Sequence, residues 1–215
     1  MTSSNKWSYF VQMSVTAEVR AVNAFRARGG QMRMSEVIGR GICRSALYSL
    51  VRRGDILRCA RGVYRLADAE PELHHSLATA ALLHPQSVVC LISALAYHEI
   101  TTRIPAAVTL AMPRGSRAPC SGSPPVRVHL FSGAAFTEGI ETHTIDGVPV
   151  KVYCKEKTIA DCFKLRTKVG LDVAMEALKH YFWQTPDVGK LMHYARVCRV
   201  ERVMSPYVQT EAHRT

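Results

Sequence analysis

"SALYSLVRRGDILRCARGVYRL", residues 45–66, changes its period halfway along, and that change decides the fold. Up to Arg53 the apolar residues recur every three or four positions. With Leu47, Leu50 and Val51 on one side, the spacing predicts a helix over "ICRSALYSLVRR" (42–53), closed by Gly54. Beyond it, "ILRC" and "VYRL" alternate around "ARG", which predicts a hairpin whose three-residue tip contains Gly62. If Leu47, Leu50 and Val51 face the core, then Arg44, Tyr48 and Arg52, at i, i+4 and i+8, line the opposite face, with Ser45 and Ser49 beside them.

Working backwards, Val15, Val19, Val22 and Phe25/Arg26 recur at helical spacing until Gly29-Gly30 stops them. A second short helix is expected from Ser35 as N-cap, with Glu36 in its first turn, Met34, Val37 and Ile38 as its apolar side, and Gly39 and Gly41 at its end. Three short helices followed by a hairpin is the order of a winged helix-turn-helix, in which the third helix enters the DNA major groove and the hairpin touches adjoining backbone. Two fork-shaped guanidinium groups, a phenol and two small hydroxyls are the donors that read base edges and phosphate oxygens, and Arg58 and Arg61 near the tip suit wing contacts. The competing reading is plain: a charged helix face is usually just solvated, and many winged helices bind proteins instead.

Charge supports an acidic partner. The net charge is +11, and residues 1–70 hold twelve Lys/Arg against five Asp/Glu, eleven of the twelve being arginine. Arginine in that excess favours a surface that grips phosphates over a general solubility charge. The seven cysteines (Cys43, Cys59, Cys90, Cys120, Cys154, Cys162, Cys198) form no CxxC pair, so a reducing compartment is expected, with neither a zinc ribbon nor a disulfide framework. The opening "MTSSNKWSYFVQMSV" shows no secretory pattern, and the most apolar run, residues 87–97, is too short to span a bilayer. A cytoplasmic chain is the expectation.

The organisation expected is α+β: a leader (1–14), a winged helix-turn-helix domain (15–68), a mixed α/β domain (72–205) and a flexible tail (206–215) that frays after Pro206. Asp68, Glu70 and Glu72 around Pro71 mark the boundary. Past it, residues 72–84 read as a helix with Leu73, Leu77 and Ala80/Ala81 inward, "SVVCL" as a buried strand, "ISALAYHE" as a helix, and "AAVTLAM" and "VRVHLF" as strands separated by the loop "PRGSRAPCSGSPP". "IETHTI-DG-VPVKVY" is the clearest hairpin, turning on Asp146-Gly147, and helices follow over about 155–165, 171–182 and 187–198, the last capped by Asp187.

Nothing in the second half argues for catalysis or a metal. His74 and His75 are helical neighbours pointing about 100° apart, and His98-Glu99 ends a helix. Asp161 lies among Lys155, Lys157 and Lys164 on one helix, where an ion-pair network is the default reading. Glu176 with "PDVGK" has the acidic-acidic-lysine content of a metal-dependent nuclease, but on a helix start instead of paired strands. No cofactor is implied.

Taken in order, "RRGDILRCARGVYRL" (52–66), "SALAYHEI", "VTLAMPRGSR", the hairpin and "VYCKEKTIADCFK" resemble the AbiEi family of antitoxins from abortive-infection, type IV toxin–antitoxin systems, over about residues 15–200. The resemblance implies an N-terminal winged helix that represses its own operon at inverted repeats. It also implies a C-terminal antitoxin domain that neutralises a nucleotidyltransferase-like toxin without a stable complex. By the same resemblance Arg44, Ser45, Tyr48, Arg52, Arg53 and Arg61 match the recognition helix and wing, and Thr158, Ile159, Ala160 and Asp161, next to Lys157, match the family's second motif, for which a helix-capping role and a functional one both stay open. The long "SRAPCSGSPP" loop departs from the pattern. Two other classes remain alongside this one: a DNA-targeted nuclease and a winged-helix protein adaptor.

Overall fold

The computed structural model describes residues 17–70, 73–116 and 123–213, so the leader, Val15, the Pro71-Glu72 boundary and most of the "SRAPCSGSPP" loop lie outside the described residues. The fold is α+β. Packing divides the chain into two units: the residues up to Leu83 together with Thr144–Pro149, and His84–His143 together with the residues from Val150 on.

The first unit strings α1 (17–26), β1 (Gln31–Arg33), α2 (Met34–Gly39), α3 (Arg44–Arg53), β2 (Ile56–Ala60), β3 (Val63–Leu66) and α4 (His75–Leu83). The strands form an antiparallel sheet in the order β1-β3-β2. Phe25, Met32, Val37, Leu47, Leu50 and Ile56 are sealed between helices and sheet. Gly54 closes α3 in the left-handed region (φ 82°), a conformation open to glycine at little cost, and the N–H groups of Gly54 and Asp55 return to the Val51 and Leu50 carbonyls at 3.1 and 3.0 Å.

Three local expectations are corrected here, and one strand is new. Phe25 is buried as expected, but Val19 is 53% exposed and α1 buries Glu18 and Ala21 in its place, because the Glu18 carboxylate turns in to meet Arg53 at 2.7 Å and carries the face round with it. Ser35 is not the cap of α2. The N-cap is Arg33, with no side-chain cap bond, and the first helical N–H, that of Met34, is satisfied by the Gly62 carbonyl at 2.8 Å. The hairpin tip is two residues, Arg61-Gly62, since Ala60 still pairs with Val63 and the register slips between Arg58 and Ala60. β1 has no forerunner in the sequence reading, as three residues are too few to display alternation.

The second unit is built on a mixed sheet in the order β6-β5-β4-β8-β7, from β4 (Val88–Val89), β5 (Val108–Pro113), β6 (Val126–Phe131), β7 (Ile140–Ile145) and β8 (Val148–Tyr153). β7 and β8 turn on Asp146-Gly147, both at positive φ (49° and 69°), the geometry of the expected tight turn, and this tip is the piece that groups with the first unit. β5 and β6 run parallel, and β4 is antiparallel to β5 but parallel to β8.

Helices α5 (Leu91–Tyr97), α6 (Ala134–Thr137), α7 (Lys155–Lys164), α8 (Arg166–Val169), α9 (Leu171–Phe182), α10 (Val188–Val197) and α11 (Glu201–Ala212) complete the unit. α7 is its axis, with every residue from Glu156 to Phe163 buried. Asp187 caps α10 as expected, accepting the Lys190 N–H at 2.8 Å.

Two more expectations are corrected, and two short helices are new. Leu73 is 85% exposed, and α4 begins only at His75. The short helices α6 and α8 were not foreseen. Pro206 does not begin a frayed tail: α11 runs through it to Ala212, because Met204 and Val208 are buried in the core and anchor the helix on both sides of the proline.

Candidate nucleic-acid interface

α3 and the β2–β3 hairpin fix the candidate surface, since Ala46, Leu47 and Leu50 at 2% exposure or less pin the helix by its back. What then faces out is Arg44, Ser45, Tyr48 (49% exposed), Arg52 and Arg53, with Ser49 half-buried. Arg58, on β2, and Arg61, at the tip, are exposed as well. Among the described residues none of Arg44, Arg52, Arg58 and Arg61 is ion-paired, so their guanidinium groups have no internal carboxylate to surrender before meeting a phosphate.

Arg53 differs. Its guanidinium donates to Glu18 Oε2 at 2.7 Å and to Asp55 Oδ2 at 2.9 Å, and both bonds raise its already high pKa. It braces the end of α3 against α1, and a phosphate would have to compete with two carboxylates for it. Ser45 is also partly committed, its hydroxyl donating to Cys43 Sγ at 3.2 Å and lowering that thiol's pKa. Arg20 and Arg40, both exposed, come together where Arg20 reaches the Arg40 carbonyl at 3.5 Å. Sequence reading missed this pair, since residues twenty apart on different helices share no periodic signal.

Lys157, Thr158 and Asp161, singled out by the sequence, lie in the interior at 0% exposure and present no surface. Lys157 Nζ donates to Asp161 Oδ2 at 2.5 Å and sits over the Tyr153 ring, 4.2 Å from its centroid, with the Phe131 ring at 5.2 Å. Cys198 Sγ donates to the other carboxylate oxygen at 3.2 Å, and the Thr158 hydroxyl donates to the Tyr153 carbonyl just before the helix begins at 3.1 Å. Burial pushes the Asp161 carboxyl above the usual carboxylate range, against the pull of Lys157. The expected network of three lysines reduces to one: Lys155 donates instead to Gln184 Oε1 at 2.6 Å, and Lys164 is exposed.

The acidic-acidic-lysine set does not assemble. Glu176 accepts from the Thr102 N–H at 2.6 Å, Asp187 caps α10, and Lys190 pairs with Glu156 at 3.0 Å. Among the described residues no cluster of His, Cys, Asp and Glu is placed to hold a metal ion, and no helix is long and apolar enough to cross a membrane.

Comparison with known proteins adds three findings. Residues 20–67, spanning α1 to the end of the hairpin but for the first three helical residues, match the family model described as "Transcriptional regulator, AbiEi antitoxin", the family that the sequence resembles; that family is one of regulatory antitoxins. No curated protein matches. The crystal structure of the RV2827C protein from Mycobacterium tuberculosis superposes with a TM-score of 0.56 at 16% identity, covering 83% of this chain and 71% of that one, and so is similar in fold.

Proposed function

Starting from an N-terminal segment that matches the AbiEi antitoxin transcriptional regulator family, we propose that the chain is an antitoxin and transcriptional autorepressor of a type IV toxin–antitoxin operon, acting in the cytoplasm. Its winged helix (15–68) binds inverted repeats in the operator, and its C-terminal part (72–205) neutralises a nucleotidyltransferase-like toxin without forming a stable complex.

One observation carries the reading: Arg44, Tyr48 and Arg52 form a single exposed strip on a helix whose opposite side is sealed in the core, next to a hairpin bearing Arg58 and Arg61. In this reading Arg44, Tyr48 and Arg52, with Ser45 and Ser49, approach base edges, while Arg58 and Arg61 hold the flanking backbone. Arg53 positions α3 and touches DNA little. The buried Lys157, Thr158 and Asp161 support the antitoxin half from within.

The test is fluorescence anisotropy with a labelled duplex from upstream of the chain's own reading frame. Arg44→Ala or Arg52→Ala lowers affinity by about 1–3 kcal/mol, as for the loss of a base-contacting arginine. Unchanged affinity in both variants overturns the recognition-helix assignment. A plasmid incubated with the protein and Mg²⁺ stays intact, whereas cleavage would favour a nuclease, and binding that keeps its strength as salt rises would favour a protein adaptor.

A further inference from the structure

Away from the winged helix, the second unit contains an open cleft of about 660 Å³, the size range of small-molecule sites. Three cations line it from two places in the chain: Lys164 and Arg166, two residues apart where α7 gives way to α8, and Arg199 in the turn between α10 and α11. Ser132 adds a hydroxyl, and Val197 and Val203 belong to an apolar wall. Among the described residues no carboxylate lines the cleft, which leaves its lining cationic. Asp161, whose carboxylate feels the charge of Lys164, is already held by Lys157 in the interior.

Two details give the arrangement a built character. Arg199 sits at φ 60°, a left-handed conformation that costs a non-glycine residue on the order of 1 kcal/mol or more. Arg166 is anchored by its Nη1 donating to the Phe163 carbonyl at 3.0 Å, which leaves the rest of its fork to face a ligand.

We propose that this cleft binds a free nucleoside triphosphate, its phosphates held by Lys164, Arg166 and Arg199 and its sugar and base lying along the valine wall. A lone phosphate would leave most of the volume unfilled. A nucleic-acid strand relies on aromatic platforms for its bases, and among the described residues none lines the cleft. Cys198, which lines the cleft, has its thiol engaged with Asp161 and pushed up to about 12 by burial, so it offers no thiolate nucleophile there. The inference is independent of the DNA-binding assignment.

Isothermal titration calorimetry on the full chain decides it, with ATP, GTP, CTP and UTP, inorganic phosphate, and a single-stranded octanucleotide as titrants. At least one triphosphate binds more tightly than phosphate. Lys164→Glu combined with Arg199→Glu weakens it by about tenfold or more, the scale of one lost charge-assisted contact, and Arg199→Gln alone by a smaller factor in the same direction. Thermal melts of these variants stay near that of the parent, and Arg44→Ala with Arg52→Ala leaves triphosphate binding unchanged. Absence of triphosphate binding, equal affinity in the charge-reversed variant, or an octanucleotide that loses as much affinity there as the triphosphate would each overturn the assignment.

Discussion

The Lys157–Asp161 pair sets the terms at the scale of single residues. Both side chains are fully buried, so each has lost its hydration and is compensated chiefly by the other, with Cys198 and two aromatic rings beside the pair. Removing one partner leaves a charge stranded, which costs about 3–5 kcal/mol, whereas replacing both with apolar groups is often close to neutral. Asp161→Leu is therefore expected to lower the urea-unfolding free energy by that amount, and Lys157→Met together with Asp161→Leu to recover most of it. A double variant as unstable as the single one would show that the charges serve more than each other.

A second residue-scale expectation concerns His98, whose Nε2–H donates to the Tyr153 carbonyl at 2.7 Å beside the rings of Tyr97 and His143, with the charges of Glu141 and Lys155 nearby. Burial pushes its imidazole below the ordinary 6.5, outweighing the carbonyl. The native state thus resists protonation: its stability is fully present above that ordinary value and drains away as pH falls through the depressed one. Urea midpoints should decline as pH falls below the ordinary imidazole value, and more gently in His98→Gln. Parallel pH curves for parent and variant would remove His98 as the cause.

At the scale of elements, what could be read in advance was whatever the chain settles locally. Gly54 ends α3, Asp146-Gly147 turns a hairpin and Asp187 caps α10 because each needs only its immediate neighbours. Where a distant partner decides, the pattern misleads: Val19 loses the inner face of α1 to Glu18 because Arg53 waits there, and Met34 begins α2 without Ser35 because the Gly62 carbonyl arrives from the hairpin. The parallel pairing of β5 with β6 and the meeting of Arg199 with Lys164 and Arg166 leave no trace in any short window, since each joins separate stretches of chain. α11 is the sharpest instance. Its proline suggests an end, yet the core contacts of Met204 and Val208 outweigh the one hydrogen bond that proline removes. Truncation before Pro206 should then forfeit the burial of Val208 and part of that of Tyr207, about 2–4 kcal/mol, and expose the second unit to protease. Truncation after His213 should be silent. Equal protease resistance in the two truncations would restore the frayed tail.

For the molecule as a whole, the first unit is not a continuous stretch of chain. Gln31, buried at 1% exposure, donates its side-chain amide to Thr79 on α4 at 2.7 Å, and α4 itself packs against β3. The hairpin tip from the far side of the sequence fits so tightly that a Cβ on Gly29 would meet the Asp146 carbonyl oxygen at 2.6 Å, and one on Gly147 would strike the Arg28 carbonyl. Cutting at the acidic boundary near Pro71 removes both supports, and cutting after Leu83 removes only the tip. The expected order of thermal stability, measured by amide hydrogen exchange within residues 17–66 as temperature rises, is therefore full chain, then fragment 1–83, then fragment 1–70. The loss of α4 costs more than about 1 kcal/mol for the Gln31–Thr79 bond alone. Gly147→Ala in the full chain should mimic the loss of the tip, because the added methyl group meets backbone and the residue sits at positive φ, a penalty of about 1–3 kcal/mol. If fragment 1–70 exchanges like fragment 1–83, the winged helix ends where its acidic residues suggest, and α4 is a passenger on it.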